Sequence, residues 1–381
     1  MLTSPLRQLH EYGQSFWYDS LSREMITTGE LKRMVKEDGL RGITSNPTIF
    51  HEAVSRSDLY DDTIAREARE GKSNEQIFDV IAREDVQAAC DLLRRVYNDS
   101  GGADGFVSLE ESPHLAHDTQ ASIREGHRLK GLVDRPNLFV KVPATPEGIP
   151  AIRQLLIDAV NVNITLMFAL DNYDSVAEAY ISAMEERHRQ GLPLDTVASV
   201  ASMFVSRIDT KVDGWIDEIV ATEADSARRE TIKSLRGQFA IANARLCYQR
   251  YKKHFGSDRF GELEKHGARP QRVLFASTST KDPAYPDTYY VEALIGPNTV
   301  VTMAPATVPA FRDHGKAAHT LESGVSRAEE AFQQAGELGI DLDRAMQELQ
   351  DEGVDKFAES FDALMEAVEE KRQLLAPTAS R

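Results

Sequence analysis

Short apolar runs of strand length recur from one end of the chain to the other, separated by stretches with helical spacing. That alternation restricts the fold more than any other feature. The runs are Ser15–Tyr18, Gly42–Thr44, Gly105–Leu109, Leu138–Val142, Val160–Thr165, Val197–Ala201, Arg272–Ala276 and Thr299–Met303. Strands joined by helical crossovers pair in parallel, and eight of them predict a single α/β domain, a closed (β/α)8 or TIM barrel. The 381 residues suffice for one such barrel with additions. No internal repeat, low-complexity tract or linker divides the sequence, so one domain is expected over residues 1–381.

The connections carry their own signals. Ser73-Asn74-Glu75-Gln76 reads as a capping box that opens a helix toward Tyr97. Val176, Tyr180, Ile181 and Met184 keep helical spacing until Gly191 and Pro193 stop it. The segments from Asn46 to Asp104 and from Ser202 to Gln271 are long for single crossovers. Helical insertions are therefore expected at about 47–103 and 205–270, the second with one long helix from about Asp225 to Phe255. A C-terminal helical segment is expected at about 328–375. It carries Phe357, Phe361, Leu364, Met365 and Val368 on one stripe, apolar enough to pack over a barrel.

Composition excludes several partners. A net charge of −17 argues against nucleic acid and anionic membranes, which require a basic face. A phosphorylated ligand would have to be held by a few local cations. No run approaches the roughly 18 apolar residues of a membrane span, and the N-terminus lacks a charged segment followed by an apolar core. Cys90 and Cys247 lack CxxC spacing and form no disulfide framework, which fits a reduced, cytoplasmic setting. Neither GxGxxG nor GxxxxGK[ST] occurs. His114-x-x-His117-Asp118 is the one candidate metal cluster, and its expected role is structural or solvated. No metal or organic cofactor is expected.

Lys141 lies inside Asn137-Leu138-Phe139-Val140-Lys141-Val142-Pro143, a strand-like apolar run. Desolvation disfavours an ammonium there and frees the amine as a nucleophile, the profile of a Schiff-base lysine. A lysine that snorkels from a strand end is the plain alternative. Other polar residues also fall at strand ends, where barrel chemistry gathers. They are Asp19; Thr44, Ser45 and Asn46; Ser108 and Glu110; Asn163 and Thr165; Ser202; and Ser277, Thr278 and Lys281. Each alone has an ordinary explanation. Asp19 fits a cap or turn, Asn46 before Pro47 a turn, Asn163 and Thr165 satisfied strand residues, and Glu110 beside Glu111 a solvated charge. Together they place a lysine, two carboxylates and several hydroxyls and amides at one mouth.

Two segments carry a family resemblance. Gly42-Ile43-Thr44-Ser45-Asn46-Pro47-Thr48-Ile49-Phe50 resembles the second-strand signature of transaldolases. Val140-Lys141-Val142-Pro143-Ala144-Thr145-Pro146-Glu147-Gly148-Ile149 resembles their Schiff-base lysine segment. Asn161 to Phe168 is similar to their fifth strand and Ser199 to Asp209 to their sixth, so that the likeness runs from about Ser15 to Pro305. The resemblance implies transfer of dihydroxyacetone from sedoheptulose 7-phosphate to glyceraldehyde 3-phosphate, with erythrose 4-phosphate and fructose 6-phosphate as products.

It also implies roles. Lys141 forms the imine, Asp19 is acid and base at the C4 hydroxyl, Glu110 works through a water, and Thr165 helps hold that water. Asn46, Asn163 and Ser202 hydrogen-bond the dihydroxyacetone part, and Thr44, Ser108 and Phe204 are further candidates for substrate binding. Arg207 on the Ser202-x-Phe204-x-x-Arg207 pattern binds phosphate, with Ser277 beside it. Many relatives carry a second phosphate-binding arginine after the seventh strand, whereas this chain has Ser277-Thr278-Ser279-Thr280-Lys281, so Lys281 is the expected substitute. An ammonium cannot grip phosphate bidentately as a guanidinium does. Two other readings stand beside transfer: an aldolase that releases dihydroxyacetone to water, as fructose-6-phosphate aldolases do, and a silent sugar-phosphate-binding barrel. Sugar phosphates are the expected partners, and the sequence leaves monomer or homodimer open.

Overall fold

The computed structural model describes residues 4–376. Eight parallel strands close into a barrel in sequence order. They are β1 (Gln14–Tyr18), β2 (Gly42–Ile43), β3 (Phe106–Glu110), β4 (Leu138–Pro143), β5 (Val162–Met167), β6 (Ser199–Phe204), β7 (Arg272–Ala276) and β8 (Thr299–Met303). β7 and β8 match the sequence reading residue for residue. β6 begins two residues later than expected, and β5 runs on to Met167, where a register irregularity lies between Ile164 and Met167 against β6.

Side chains alternate along each strand, so every second residue enters the barrel. At its base this face holds aromatic rings. Phe106 of β3 stacks on Phe139 of β4 with centroids 4.1 Å apart, and Trp17 of β1 lies 6.0 Å from Phe139. Trp17 Nε1 donates to Asp104, which also pairs with Arg272 at the start of β7 and accepts from Ser15. These bonds tie β1, β3 and β7 together across the floor. Trp17 fills the space beside β2 because residue 42 has no side chain; a Cβ there would lie 2.4 Å from the indole. On β3 and β4 the inward residues above the rings become polar, with Ser108 and Glu110 above Phe106 and Lys141 above Phe139, and this change of character creates the site.

The long connections hold helices, as expected. Pro47–Arg56, Asp61–Arg69 and Asn74–Asp99 follow β2, and the last opens on the predicted capping box, with both reciprocal bonds between Ser73 and Gln76. Ser206–Thr222, Ser226–Lys233, Phe239–Phe255 and Asp258–Glu264 follow β6. The single helix expected from Asp225 to Phe255 is therefore two. The chain turns between them because buried carboxylates of the preceding helix capture its backbone: Gly237 N donates to Asp213 and Ala240 N to Asp209. The C-terminal segment forms Val325–Leu338 and Leu342–Leu374, and the latter packs against Pro47–Arg56 at the barrel mouth.

Gly42→Ala is expected to destabilise the fold by about 1–3 kcal/mol, the usual effect of overpacking a filled core. Urea unfolding of the variant beside the wild type measures it.

Candidate active site

The register of three neighbouring strands sets the centre of the site. Glu110 of β3 stands opposite Lys141 of β4, and Lys141 opposite Asn163 of β5. Lys141 donates to Glu110 Oε2 at 2.8 Å and to the backbone oxygen of Ser45 at 3.1 Å, and both charged side chains are 6 % exposed. Burial is the main influence on the Glu110 carboxyl and raises it above the usual carboxylate range, against the opposing pull of Lys141.

Lys141 opens onto a cleft of about 440 Å³ in the C-terminal face of the barrel. Asp19, Thr44, Asn46, Thr165, Ser202, Phe204, Arg207, Ser277 and Lys281 all line it. Ser108, Glu110 and Asn163 are not among its lining residues and support the floor. Asn163 Nδ2 donates to Ser108 Oγ at 3.0 Å, and Ser202 Oγ donates to Asn163 Oδ1 at 2.7 Å. Ser202 thus has its proton committed and presents lone pairs to the cleft. Thr44 Oγ1 donates to Asp19 Oδ1 at 2.6 Å, fixing that carboxylate over the mouth. Asn46 caps the helix Pro47–Arg56 by accepting from Ile49 N, which leaves its amide nitrogen free of that bond. Thr165 Oγ1 is buried without a hydrogen-bond partner. Glu110 reaches Lys141 directly, where the resemblance implied a role through water.

Cations gather on the β6–β7 side. Arg207 is the second residue of the helix Ser206–Thr222 and lies 5.5 Å over the Phe204 ring. Ser277 Oγ is 3.0 Å from Ser206 Oγ, and Lys281 Nζ donates to Ser279 Oγ at 3.0 Å. Desolvation lowers both Arg207 and Lys281, and the nearby Arg207 charge lowers Lys281 further. Two strained residues hold this rim: Leu166 at the end of β5 and Ser277 after β7 both have φ of 54°.

Sequence reasoning missed Phe357, 357 being a position on the C-terminal helix whose ring also lines the cleft, 5.7 Å from Lys141 Nζ. Its signal was the apolar stripe, which was legible as packing and not as part of a site. The backbone oxygen of Ser45 was missed too, because no side-chain pattern announces it. The candidate metal cluster is dispersed. His114 contacts Asp362 of the C-terminal helix, His117 contacts Glu147, and Asp118 caps Thr119–Val133. Among the described residues no group of three or more His, Cys, Asp and Glu is arranged to hold a metal, and no helix is long and apolar enough to cross a membrane.

Glu111, next to Glu110, is buried. Its Oε1 accepts from Ser122, while Oε2 has no partner. Burial pushes its carboxyl up to about 8. In the unfolded chain a glutamate releases its proton near pH 4. Between these values the folded state keeps a proton that the unfolded state has shed, so stability falls as pH rises from about 4 to about 8. Glu111→Gln is expected to reduce the stability loss between pH 5 and pH 8 by on the order of a few kcal/mol. Urea unfolding of both proteins at the two pH values is the measurement.

A family model described as transaldolase/fructose-6-phosphate aldolase matches residues 16–368. A protein of Trichodesmium erythraeum named transaldolase is 41% identical over 379 residues, covering 99% of this chain and 100% of its own. One from Nostoc sp. named transaldolase 2 is 43% identical over 380 residues, with the same coverage. One from Frankia alni named transaldolase is 44% identical over 365 residues, 96% of each chain.

Proposed function

The chain belongs to the transaldolase/fructose-6-phosphate aldolase family, and from that premise we propose that it is a transaldolase acting through a Schiff base on Lys141. It moves a dihydroxyacetone unit from sedoheptulose 7-phosphate to glyceraldehyde 3-phosphate and yields erythrose 4-phosphate and fructose 6-phosphate. The proposed setting is the pentose phosphate pathway of the cytoplasm. The observation that carries the reading is the buried contact of 2.8 Å between Lys141 and Glu110 beneath a cleft that Asp19 overlooks.

A Schiff base requires a neutral amine. Glu110, its carboxyl raised by burial, accepts the proton that Lys141 must lose and returns it to the hydroxyl that leaves as the carbinolamine becomes an iminium. The iminium withdraws the electrons of the C3–C4 bond. Asp19 takes the C4 hydroxyl proton as that bond breaks, and the aldehyde departs to leave an enamine on Lys141. Thr44 holds the first oxygen of Asp19, so the second faces the reacting hydroxyl. Ser202 and Asn46 hold the dihydroxyacetone hydroxyls, Asn163 acts through Ser202, and the unpartnered Thr165 hydroxyl is free to hold water or substrate. Arg207, Ser277 and Lys281 receive the phosphate. Addition of the acceptor aldehyde reverses these steps.

Trapping tests the reading. Incubation with fructose 6-phosphate and borohydride should leave a reduced dihydroxyacetone adduct on Lys141, mapped by mass spectrometry. Lys141→Ala should lose both adduct and turnover. Asp19→Ala should still form an adduct from dihydroxyacetone yet cleave the ketose phosphate about 10²–10⁴-fold more slowly. A folded wild type without an adduct on any lysine would leave only a sugar-phosphate-binding role. A wild type that releases dihydroxyacetone but never passes it to an acceptor would be an aldolase.

Lys281→Ala is expected to raise KM for phosphorylated donors roughly tenfold, the loss of one charged hydrogen bond, with kcat little changed. Steady-state kinetics with fructose 6-phosphate checks it, and an unaltered KM would assign the phosphate to Arg207 and Ser277 alone.

A further inference from the structure

We propose that Phe357 is the water-excluding roof of the Schiff-base site and sets the ratio of transfer to hydrolysis. The inference rests on the transaldolase reading above.

The ring of Phe357 is buried, lines the cleft, and lies 5.7 Å from Lys141 Nζ and 6.0 Å from Arg207 Cζ. One apolar ring therefore lies beside both the nitrogen that carries the imine and the guanidinium proposed to hold phosphate. The helix that bears it, Leu342–Leu374, is fixed on three sides of the mouth. Gln350 Nε2 donates to the backbone oxygens of Ala144 and Leu166, each at 3.0 Å, at the ends of β4 and β5. Lys211 of Ser206–Thr222 reaches Glu348 and Glu352, each at 2.7 Å. Thr48 of Pro47–Arg56 donates to Ser360 at 2.8 Å. Between these ties Gly353 lets the helix lie against Leu166, since a Cβ there would come within 2.8 Å of its side chain. These bonds hold the ring in position, and no closing motion is needed to bring it over Lys141.

The chemistry supplies a task for such a roof. After the aldehyde leaves, the enamine on Lys141 awaits an acceptor. Water ends that wait unproductively. A proton adds to C3 and restores the iminium, water adds across the C=N bond, and the C–N bond breaks. Free dihydroxyacetone and the lysine amine result, with one water consumed. An apolar ring above the nitrogen denies water a route on that side. The Arg207 guanidinium over the same ring adds an attraction that persists while the phosphate end is empty.

The test measures partition. With fructose 6-phosphate as donor and erythrose 4-phosphate as acceptor, sedoheptulose 7-phosphate and free dihydroxyacetone are quantified together. Transfer by the wild type is read first; its absence would remove the underlying reading, and this inference with it. Given transfer, Phe357→Ala should raise the fraction of turnovers ending in free dihydroxyacetone about tenfold, a change of one decade in relative rates. Phe357→Leu, which keeps apolar bulk, should restore most of the wild-type ratio. A general loss of structure would lower both products without changing their ratio. Where Phe357→Ala fails to fold, Gln350→Ala, which unties the helix from Ala144 and Leu166, is read in the same way and should also release more dihydroxyacetone. An unchanged fraction in folded Phe357→Ala, or in Gln350→Ala where that variant decides, would overturn the proposal.

Discussion

A buried ion pair between adjacent parallel strands governs this site. Lys141 and Glu110 stand opposite one another in β4 and β3, and their contact of 2.8 Å lies beneath the cleft floor. Two charges taken out of water incur a large desolvation cost, and removing one partner typically destabilises by about 3–5 kcal/mol. The pair therefore depends on register. A slip of one residue would turn Lys141 into the surrounding helices and every inward polar group with it. Phe106 and Phe139 stack below on the same two strands, with Trp17 of β1 beside them, and hold that register with packing. Stability at the base thus permits an expensive arrangement at the mouth.

The same logic extends to the phosphate side. Arg207 lies close enough to Lys281 to disfavour its charge, and both are desolvated. A bound anion relieves the repulsion, so the chain concentrates cations here despite its net charge of −17. The frame that holds them is also buried and polar. Asp209 and Asp213 accept backbone N–H groups from the turn at Gly237–Ala240 and hydroxyls from Tyr290 and Tyr285 of the β7–β8 connection. The helix that carries Arg207 in its first turn and the loop that carries Lys281 are thereby fastened to each other.

Much of this was legible in the sequence because strands buried on both faces leave continuous apolar runs, and because polar residues interrupt those runs at consistent places. Pro270 and Pro297 stand just before Arg272–Ala276 and Thr299–Met303, and polar Ser277 and then Pro305 follow them, so their limits were readable. The split near Gly237 was not, since helical periodicity continues through it and the carboxylates that break the helix come from another element. The cleft residues were readable by type and position. Their division into cleft lining and supporting floor was not, because Asn163 reveals its bonds to Ser108 and Ser202 only when three strands are in register. Phe357 was hidden for a different reason. An aromatic residue on an amphipathic stripe has the same sequence pattern whether it covers a core or a catalytic nitrogen, and only the bonds of Gln350 and Lys211 decide between them.

These parts serve two conflicting demands. In the proposed mechanism an enamine has to be kept from water, yet the enzyme has to release one aldehyde and admit another without releasing the three-carbon unit. The cleft separates the demands in space. Lys141 lies at its floor under the ring of Phe357, whereas Glu24, Glu52 and Arg56 line the cleft beside Leu21, Ile49 and Ala53. Thr44 fixes Asp19 between the two regions. A sugar phosphate held by Arg207 and Lys281 would then keep its dihydroxyacetone end in the covered part and its scissile bond beneath Asp19. In the proposed reaction aldehydes would exchange on the side away from Phe357 while the imine stays covered. A barrel alone would offer an open mouth. The C-terminal helix, fixed across the ends of β4 and β5, closes the part of that mouth where water does harm and leaves open the part where substrates must pass.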